Sequence, residues 1–438
     1  MVFQLPYEFV DKSVTPGGGM GLMKEFLNKT NIEEQINLLD LPKAGSNRGY
    51  GAYNIIESFF VSVWLGANRF AQSGVLRYDK VLPEIFAWRD VRSQSTYSRF
   101  FNKFTQASNH RFFTSLQQWF FRELQLKNLT VDFDSSVVTR YGDQQGATKG
   151  YNPAKPGRNS HHPLFAFVAE TRMVLNAWLR RGKTHSSNNF ESFLAHTLEI
   201  AAPKQIGLAR CDSGFYSNSI FKLFDTHNIP FIIAAKMTQP MKLELFAIKN
   251  WVEVDKGIHI AEVKYKAHDW EKQRRVVVVR QNTNIGPKAV GKMLFTEEQL
   301  GEAWRYGAMV TSLDLPALQI WNMYRQRADA ENRIKELKED FGMDGFCMKE
   351  FYATESAFLW VMIAYNLISL FRQVVLQTKT QATLSTLRVQ CFALGSWVAK
   401  HAGKTVLKMS VAIKRRSWLD GLFGKIEQLK NTYVFPNA

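Results

Sequence analysis

From about residue 22 to 127, apolar side chains recur at mixed spacings of three and four, as in Tyr53-Asn54-Ile55-Ile56-Glu57-Ser58-Phe59-Phe60-Val61. That period predicts roughly four to six helices. One of them, within Val91-Arg92-Ser93-Gln94-Ser95-Thr96-Tyr97-Ser98-Arg99-Phe100-Phe101, has Ser93 available as an N-terminal cap. Its mix of small polar, basic and aromatic residues suits a DNA recognition helix, with Arg92, Arg99 and Lys103 as candidate contacts. An amphipathic helix with Phe100, Phe101 and Phe104 facing a core fits the same residues equally well.

At residue 129 the period changes to alternation. Strands are predicted at 129–138, 164–170 and 174–180, then a helix at 189–200, a strand at 205–211, a helix at 217–226 and a strand at 230–235. Strands first and βα alternation afterwards predict an α/β fold with a mixed sheet flanked by helices. Residues 240–315 are strand-rich again, at 258–265, 274–280 and 308–313, and interrupt that series. A long helical region over 320–377 resumes it, broken near Gly342-Met343-Asp344-Gly345, where glycines suit a helix stop. The longest apolar stretch, 358–371, spans 14 residues and includes Asn366 and Ser369, which is core-helix length and predicts no membrane span.

Composition narrows the classes. At 438 residues the chain exceeds the roughly 250–300 at which single cores stop growing, so two or three structural units are expected. With 45% hydrophobic residues and no low-complexity tract or internal repeat it reads as ordered throughout. A formal charge of +17 predicts binding to a polyanion through phosphate contacts, with nucleic acid the first candidate. Beyond residue 380, Lys400, Lys404, Lys408, Lys414, Arg415 and Arg416 stand almost unbalanced by acids; such a run is usually a solvated face, and DNA contact is a modest extension of that reading. Cys211, Cys347 and Cys391 are isolated, so they fit core thiols better than disulfides or a zinc site. The N-terminus lacks the basic and apolar regions of a secretion signal, and a cytoplasmic location is expected.

Candidate chemistry begins with Asp132 and Asp134, two apart in Thr130-Val131-Asp132-Phe133-Asp134-Ser135-Ser136 and so on one face of a strand. Asp134 is nearer the strand's carboxyl end, where ligands gather in α/β sheets, as is Asp212 in Leu208-Ala209-Arg210-Cys211-Asp212-Ser213-Gly214-Phe215. Singly, each reads more readily as a capping or turn aspartate. Further on, Tyr324, Arg327, Glu331 and Lys338 fall at about 0°, 300°, 340° and 320° on a continuous helix, one stripe with Glu331 its only carboxylate. Cations flanking an acid suit an ion site beside a DNA phosphate, although salt-bridged surface helices are common. His161 and His162 precede a strand, where a turn or capping role outweighs DNA contact.

Tyr324, Arg327, Glu331 and Lys338 match in full the Y-(2)-R-(3)-E-(6)-K signature of a group of DDE transposases of bacterial insertion sequences, and the chain resembles that family. Asp132-Phe133-Asp134-Ser135-Ser136 resembles its first-aspartate strand, and Arg210-Cys211-Asp212-Ser213-Gly214-Phe215 its second-aspartate block. Between them Tyr141-Gly142, Gln145-Gly146-Ala147, Gly150-Tyr151-Asn152-Pro153, His162-Pro163-Leu164 and Leu179-Arg180-Arg181-Gly182 resemble its intervening blocks, so the resemblance spans about 129–371. One departure is Ser135, where a small residue or Gly is common.

The resemblance implies an RNase H-like catalytic core over 128–238 and 314–377, interrupted by a β-rich insertion over 239–313. An all-α DNA-binding and dimerisation region (1–127) would precede it and a helical, basic region (378–438) follow. It implies Asp134, Asp212 and Glu331 as catalytic residues and ligands of two Mg²⁺ ions, with Mn²⁺ as substitute, and favours Asp134 over Asp132. Three carboxylates are hard oxygen donors that suit these ions and not zinc. Tyr324, Arg327 and Lys338 would bind DNA. The implied activity is cut-and-paste movement by a homodimer on terminal inverted repeats and target DNA, in a bacterial, nucleoid-associated setting without a membrane. A stand-alone nuclease of this fold, or an inactive transposase-derived regulator, are the competing readings. Among Trp251, Trp270 and Trp304 in the insertion, Trp270 is the candidate to stack on an unpaired base, against the plainer reading of three tryptophans in a small β core.

Overall fold

A computed structural model describes residues 6–43, 49–122, 124–283, 298–299, 304–378 and 381–429. Residues 1–5, read above for a secretion signal, 284–297 and 300–303 of the strand-rich segment, and 430–438 of the tail lie outside the described residues. The described residues form two compact units, one within 109–338 and 349–351, the other within 6–108, 339–348 and 352–429.

The first unit is built on one mixed sheet. Its strands are β1 (Asn128–Ser135), β2 (Leu164–Val168), β3 (Val174–Trp178), β4 (Gln205–Cys211), β5 (Phe231–Ala234), β6 (Val252–Asp255), β7 (Ile258–Tyr265), β8 (Arg274–Asn282) and β9 (Trp304–Thr311). They lie in the order β3-β2-β1-β4-β5-β9-β8-β7-β6, with the short strand Glu298–Gln299 beside β9. β1 runs antiparallel to β2 and parallel to β4, and β4 parallel to β5. The strand-rich segment continues this sheet edge to edge, because β9 pairs antiparallel with β5.

Parallel neighbours need helical crossovers. α1 (Phe190–Ala201) precedes β4 and α2 (Asn218–Thr226) joins β4 to β5. Ser217 caps α2 by accepting from the Ile220 amide. Alternation along β1 puts Phe133 on the side of these helices, where its ring meets Phe190, Phe193 and Phe224. On another face, Leu208, Ile232, Ile260, Val277, Val279 and Met309 pack with Ile320, Trp321 and Tyr324 of α3 (Ala317–Arg325). α4 (Ala328–Glu339) follows. A Gln326–Arg327 step therefore interrupts the continuous helix assumed for the stripe of four residues.

In the second unit, helix Ala52–Trp64 and helix Phe351–Phe371 bring Phe60 against Trp360, and the Trp64 indole donates to the Ala364 carbonyl. With its last turn that long helix reaches Leu376; its most apolar window is 89% buried, so length and composition that would cross a membrane here make a core helix. The tail was expected to be helical. Instead Ser396–His401 and Lys404–Met409 form an antiparallel hairpin, and only Ile413–Glu427 is a long helix. Thr405, Val406 and Leu407 favour the strand, and the turn at Ala402-Gly403, both at positive φ, closes it.

Candidate active site

β1 and β4 are neighbouring parallel strands, so their carboxyl ends lie side by side. Asp134 occupies one end and Asp212 follows the other. Asp212 caps the short turn Ser213–Phe215, its Oδ1 accepting from the Gly214 amide at 2.8 Å. Asp134 Oδ1 accepts from the Ser135 amide at 2.7 Å, and Ser135 Oγ lies 2.8 Å from Ser186 Oγ. Ser135 thus ties the strand end to the loop before α1. Glu331 stands exposed in the first turn of α4.

Asp134 is buried, and its carboxyl is pushed up to about 7, first by burial and then by the like charges of Asp212 and Glu331, against the opposing pull of Arg327. The three acids therefore share one electrostatic site. Among the described residues, His110, His196 and Glu199 are the group of three side chains with ligand atoms within 4.8 Å of one another, so at least one pair among Asp134, Asp212 and Glu331 stands wider. His196 is already engaged on both ring nitrogens, by the Trp178 indole at 2.9 Å and Thr114 Oγ1 at 2.8 Å.

Asp132, on the same face of β1, is committed elsewhere. Both its oxygens accept from Arg210, at 2.6 and 2.9 Å, and Arg333 comes within 4.0 Å. Arg210 also donates to the Met323 carbonyl, tying β4 to α3, and Arg333 donates to the Val168 carbonyl. Neither arginine stood out in the sequence. The register that sets Arg210 opposite Asp132 is a property of sheet pairing between distant segments.

The signature arginine and tyrosine lie inside the protein, while the signature lysine is partly exposed. Arg327 is 1% exposed, pairs with Asp134 Oδ2 at 2.8 Å and donates to the Phe133 carbonyl. Tyr324 is fully buried and its hydroxyl donates to the Cys211 carbonyl at 3.2 Å, next to Asp212. Lys338, half-buried, donates to the Val137 carbonyl at 3.0 Å. These three residues brace the strand ends that carry the aspartates. The burial of Tyr324 and Arg327 removes them as phosphate contacts.

Other candidates divide similarly. Arg92 is buried at 1% exposure, with its guanidinium 3.5 Å over the Tyr50 ring and paired with Asp90, so it too is internal. Arg99 and Lys103 are exposed. Arg99 lines an open cavity of about 580 Å³ with Arg77, Ser93, Ser95 and Asn102. Phe100, Phe101 and Phe104 are buried, and Ser93 caps the helix Gln94–Phe101 through the Thr96 amide. Trp270 is a correction: it is 3% exposed, enclosed by Tyr216, Phe221 and Tyr265, and unable to reach a base. Its polar sequence neighbours hid a turn that folds the indole inward. Trp251 and Trp304 instead flank the Arg280 guanidinium at 4.2 and 4.3 Å. His161 and His162 are buried; His161 accepts from Arg140 at Nδ1 and its Nε2 lies 3.1 Å from the Gln145 carbonyl.

The family described as "Transposase DDE domain group 1" matches residues 4–431, nearly the whole chain, and the protein belongs to it. It is accordingly a DDE transposase by family, a class of DNA-acting enzymes that use divalent metal ions. No curated protein matches. A solved structure titled "Cryo-EM structure of piggyBac transposase synaptic complex with hairpin DNA (SNHP)" is similar at 11% identity and a TM-score of 0.45, over 87% of this chain and 81% of that one.

Proposed function

We propose that the chain is a cut-and-paste transposase that binds the terminal inverted repeats of an insertion sequence, cuts there and joins the ends to target DNA. The observation that carries this reading is the shared electrostatic site of Asp134, Asp212 and Glu331, at the carboxyl ends of adjacent parallel strands. The order β3-β2-β1-β4-β5, with β1 antiparallel to β2 and parallel to β4, supports an RNase H-like core into which β6 to β9 are inserted. In the full reading, residues 1–127 bind DNA and dimerise, 128–238 with 314–377 form the catalytic core, 239–313 the insertion and 378–438 a basic tail. The working form is a homodimer in a bacterial cytoplasm, associated with the nucleoid.

The donor set fits Mg²⁺ or Mn²⁺. Asp134 is a buried carboxylate set against two further acids, and only one of its oxygens faces Arg327. A dication beside three hard oxygen donors relieves the repulsion that lifts Asp134. Asp134, Asp212 and Glu331 would hold two such ions, which supply an activated water or 3′-hydroxyl and stabilise the leaving oxygen of an in-line displacement. The protein's own part is positional. Arg327 fixes the orientation of Asp134, the Gly214 amide fixes Asp212, and Tyr324 steadies the end of β4.

Labelled DNA from either flank of the gene, incubated with the protein and Mg²⁺, should be nicked at the element ends and joined to a second DNA. Uncut DNA at every metal concentration, from protein that binds it, overturns the reading in favour of an inactive regulator. Cutting without any joining favours a nuclease.

A further inference from the structure

Just past β1 the chain builds a second, smaller sheet. Val138–Thr139 pairs with Asn159–His161, which pairs in turn with Thr148–Lys149. Residues 180–183 are pressed onto it. A Cβ at Gly150 would stand 2.1 Å from the Gly182 carbonyl oxygen, and one at Gly182 would stand 2.1 Å from that of Ser160 and 2.4 Å from that of Thr148. Only glycine allows backbones this close. The Gln145 amide donates to the Lys349 carbonyl at 2.8 Å, which brings Lys349 to the same body.

Lys149, Lys155, Arg158, Arg181, Lys183 and Lys349 are all exposed there, and no ion pair among the described residues involves any of them. Within these segments of the sequence the acids are Asp143 and Glu350. A like-charged cluster of this kind repels itself and attracts a polyanion. Two tyrosines stand among the cations, Tyr141 at 69% and Tyr151 at 75% exposure. Lys155 donates to the Tyr141 hydroxyl at 2.5 Å, and Lys155 and Arg158 lie 5.1 and 5.9 Å from its ring centroid. Exposed rings interleaved with cations suit a single strand, whose bases offer free faces for stacking, whereas the base faces of a duplex are already stacked on one another.

We propose that this small sheet holds an unpaired stretch of DNA strand, with Lys149, Lys155, Arg158 and Lys183 on phosphates and Tyr141 and Tyr151 against bases. Only two residues separate its first strand from β1, so the strand it holds is the one presented to Asp134. The assignment rests on the transposase reading and adds to it where the opened end is held.

The test is fluorescence anisotropy of the full chain on a short duplex bearing a single-stranded tail and on the same duplex blunt, through a salt series without divalent metal. Lys155→Ala combined with Arg158→Ala should lower the slope of log affinity against log salt on tailed DNA by about 1.4, at ~0.7 per single-strand phosphate contact. Lys183→Ala, in a separate segment, should lower it by about half as much. Tyr141→Ala should weaken tailed binding roughly tenfold or more, and Tyr141→Phe should retain it, because stacking needs the ring and not the hydroxyl. Blunt duplex should respond little to any of them. Unchanged slopes and affinities, or equal losses on tailed and blunt DNA, overturn the proposal. Parallel cleavage assays with Mg²⁺ separate the two levels: if the wild type cuts element ends while the variants bind tailed DNA normally, only this inference falls.

Discussion

Arg327 Nη2 lies 2.8 Å from Asp134 Oδ2, and both side chains are nearly sealed from water, at 1% and 8% exposure. A residue whose type and spacing suggest a phosphate contact is thus a counter-charge inside the protein. Burial of the aspartate and the neighbouring acids push its carboxyl up, and Arg327 pulls it down. Replacing Arg327 with Ala leaves a buried carboxylate without its partner. Breaking such a pair costs roughly 3–5 kcal/mol. Urea unfolding should show that loss. A variant of normal stability whose only defect is a lower salt dependence of DNA binding would restore the phosphate-contact role.

The two aspartates of β1 should fail differently. Asp134→Asn, Asp212→Asn and Glu331→Gln are each expected to abolish cleavage while leaving DNA affinity within a fewfold, because phosphate binding rests on other residues. Asp132→Asn strands the buried Arg210 guanidinium, so its first effect should be on folding, again by about 3–5 kcal/mol. Cleavage by Asp134→Asn at the wild-type rate, or a stable but dead Asp132→Asn, would reverse the assignment.

Trp270 is now expected to be a stability residue. Truncation to Ala leaves a cavity among Tyr216, Phe221 and Tyr265, at a cost of about 3–5 kcal/mol. Cutting of duplex and of pre-nicked ends should decline together, in step with the folded fraction. Selective slowing on duplex ends with an unchanged urea midpoint would contradict the burial.

Three buried histidines give stability a defined pH dependence. Burial, reinforced by Arg140, holds His161 down to about 4; burial with Arg180 does the same for His162, and burial with His110 for His196. Their unfolded value is 6.5. The unfolded chain therefore takes up protons that the folded chain refuses between 6.5 and about 4, and stability falls as pH falls through that window. His196→Gln should flatten its share of the slope. Identical slopes for the variant and the wild type would show that His196 titrates normally.

Much of this molecule was legible in its sequence. Every strand and helix expected from 129 to 235 appears within a few residues of its place, because alternation and helical period report burial of one face, and those faces are in fact buried; the short strands at 138–139, 148–149 and 159–161 carry no such signal and were not expected. The same local logic set Ser93 as a helix cap and placed Asp134 and Asp212 at strand ends. Where local signals were weak or divided, they misled. The basic tail resembled a solvated helix, and its hairpin depends on pairing with a partner strand. Trp270 sits among polar neighbours that say nothing of the three aromatics folded over it.

By itself, then, the sequence determined the order of elements, the family signature and the residues able to carry the chemistry, since each of these depends on residue type and spacing along the chain. Only the tertiary structure decided what each charged group faces. Asp132 and Asp134 share a strand face and a residue type, and the difference between them is that parallel register with β4 sets Arg210 against the first, while the turn between α3 and α4 delivers Arg327 to the second, where Asp212 at the end of β4 and Glu331 in α4 add their charges. A side chain's electrostatic role is fixed by its neighbours in space, and those neighbours come from segments some 80 to 200 residues away, as the separations of 78 for Asp132–Arg210 and 201 for Val137–Lys338 show.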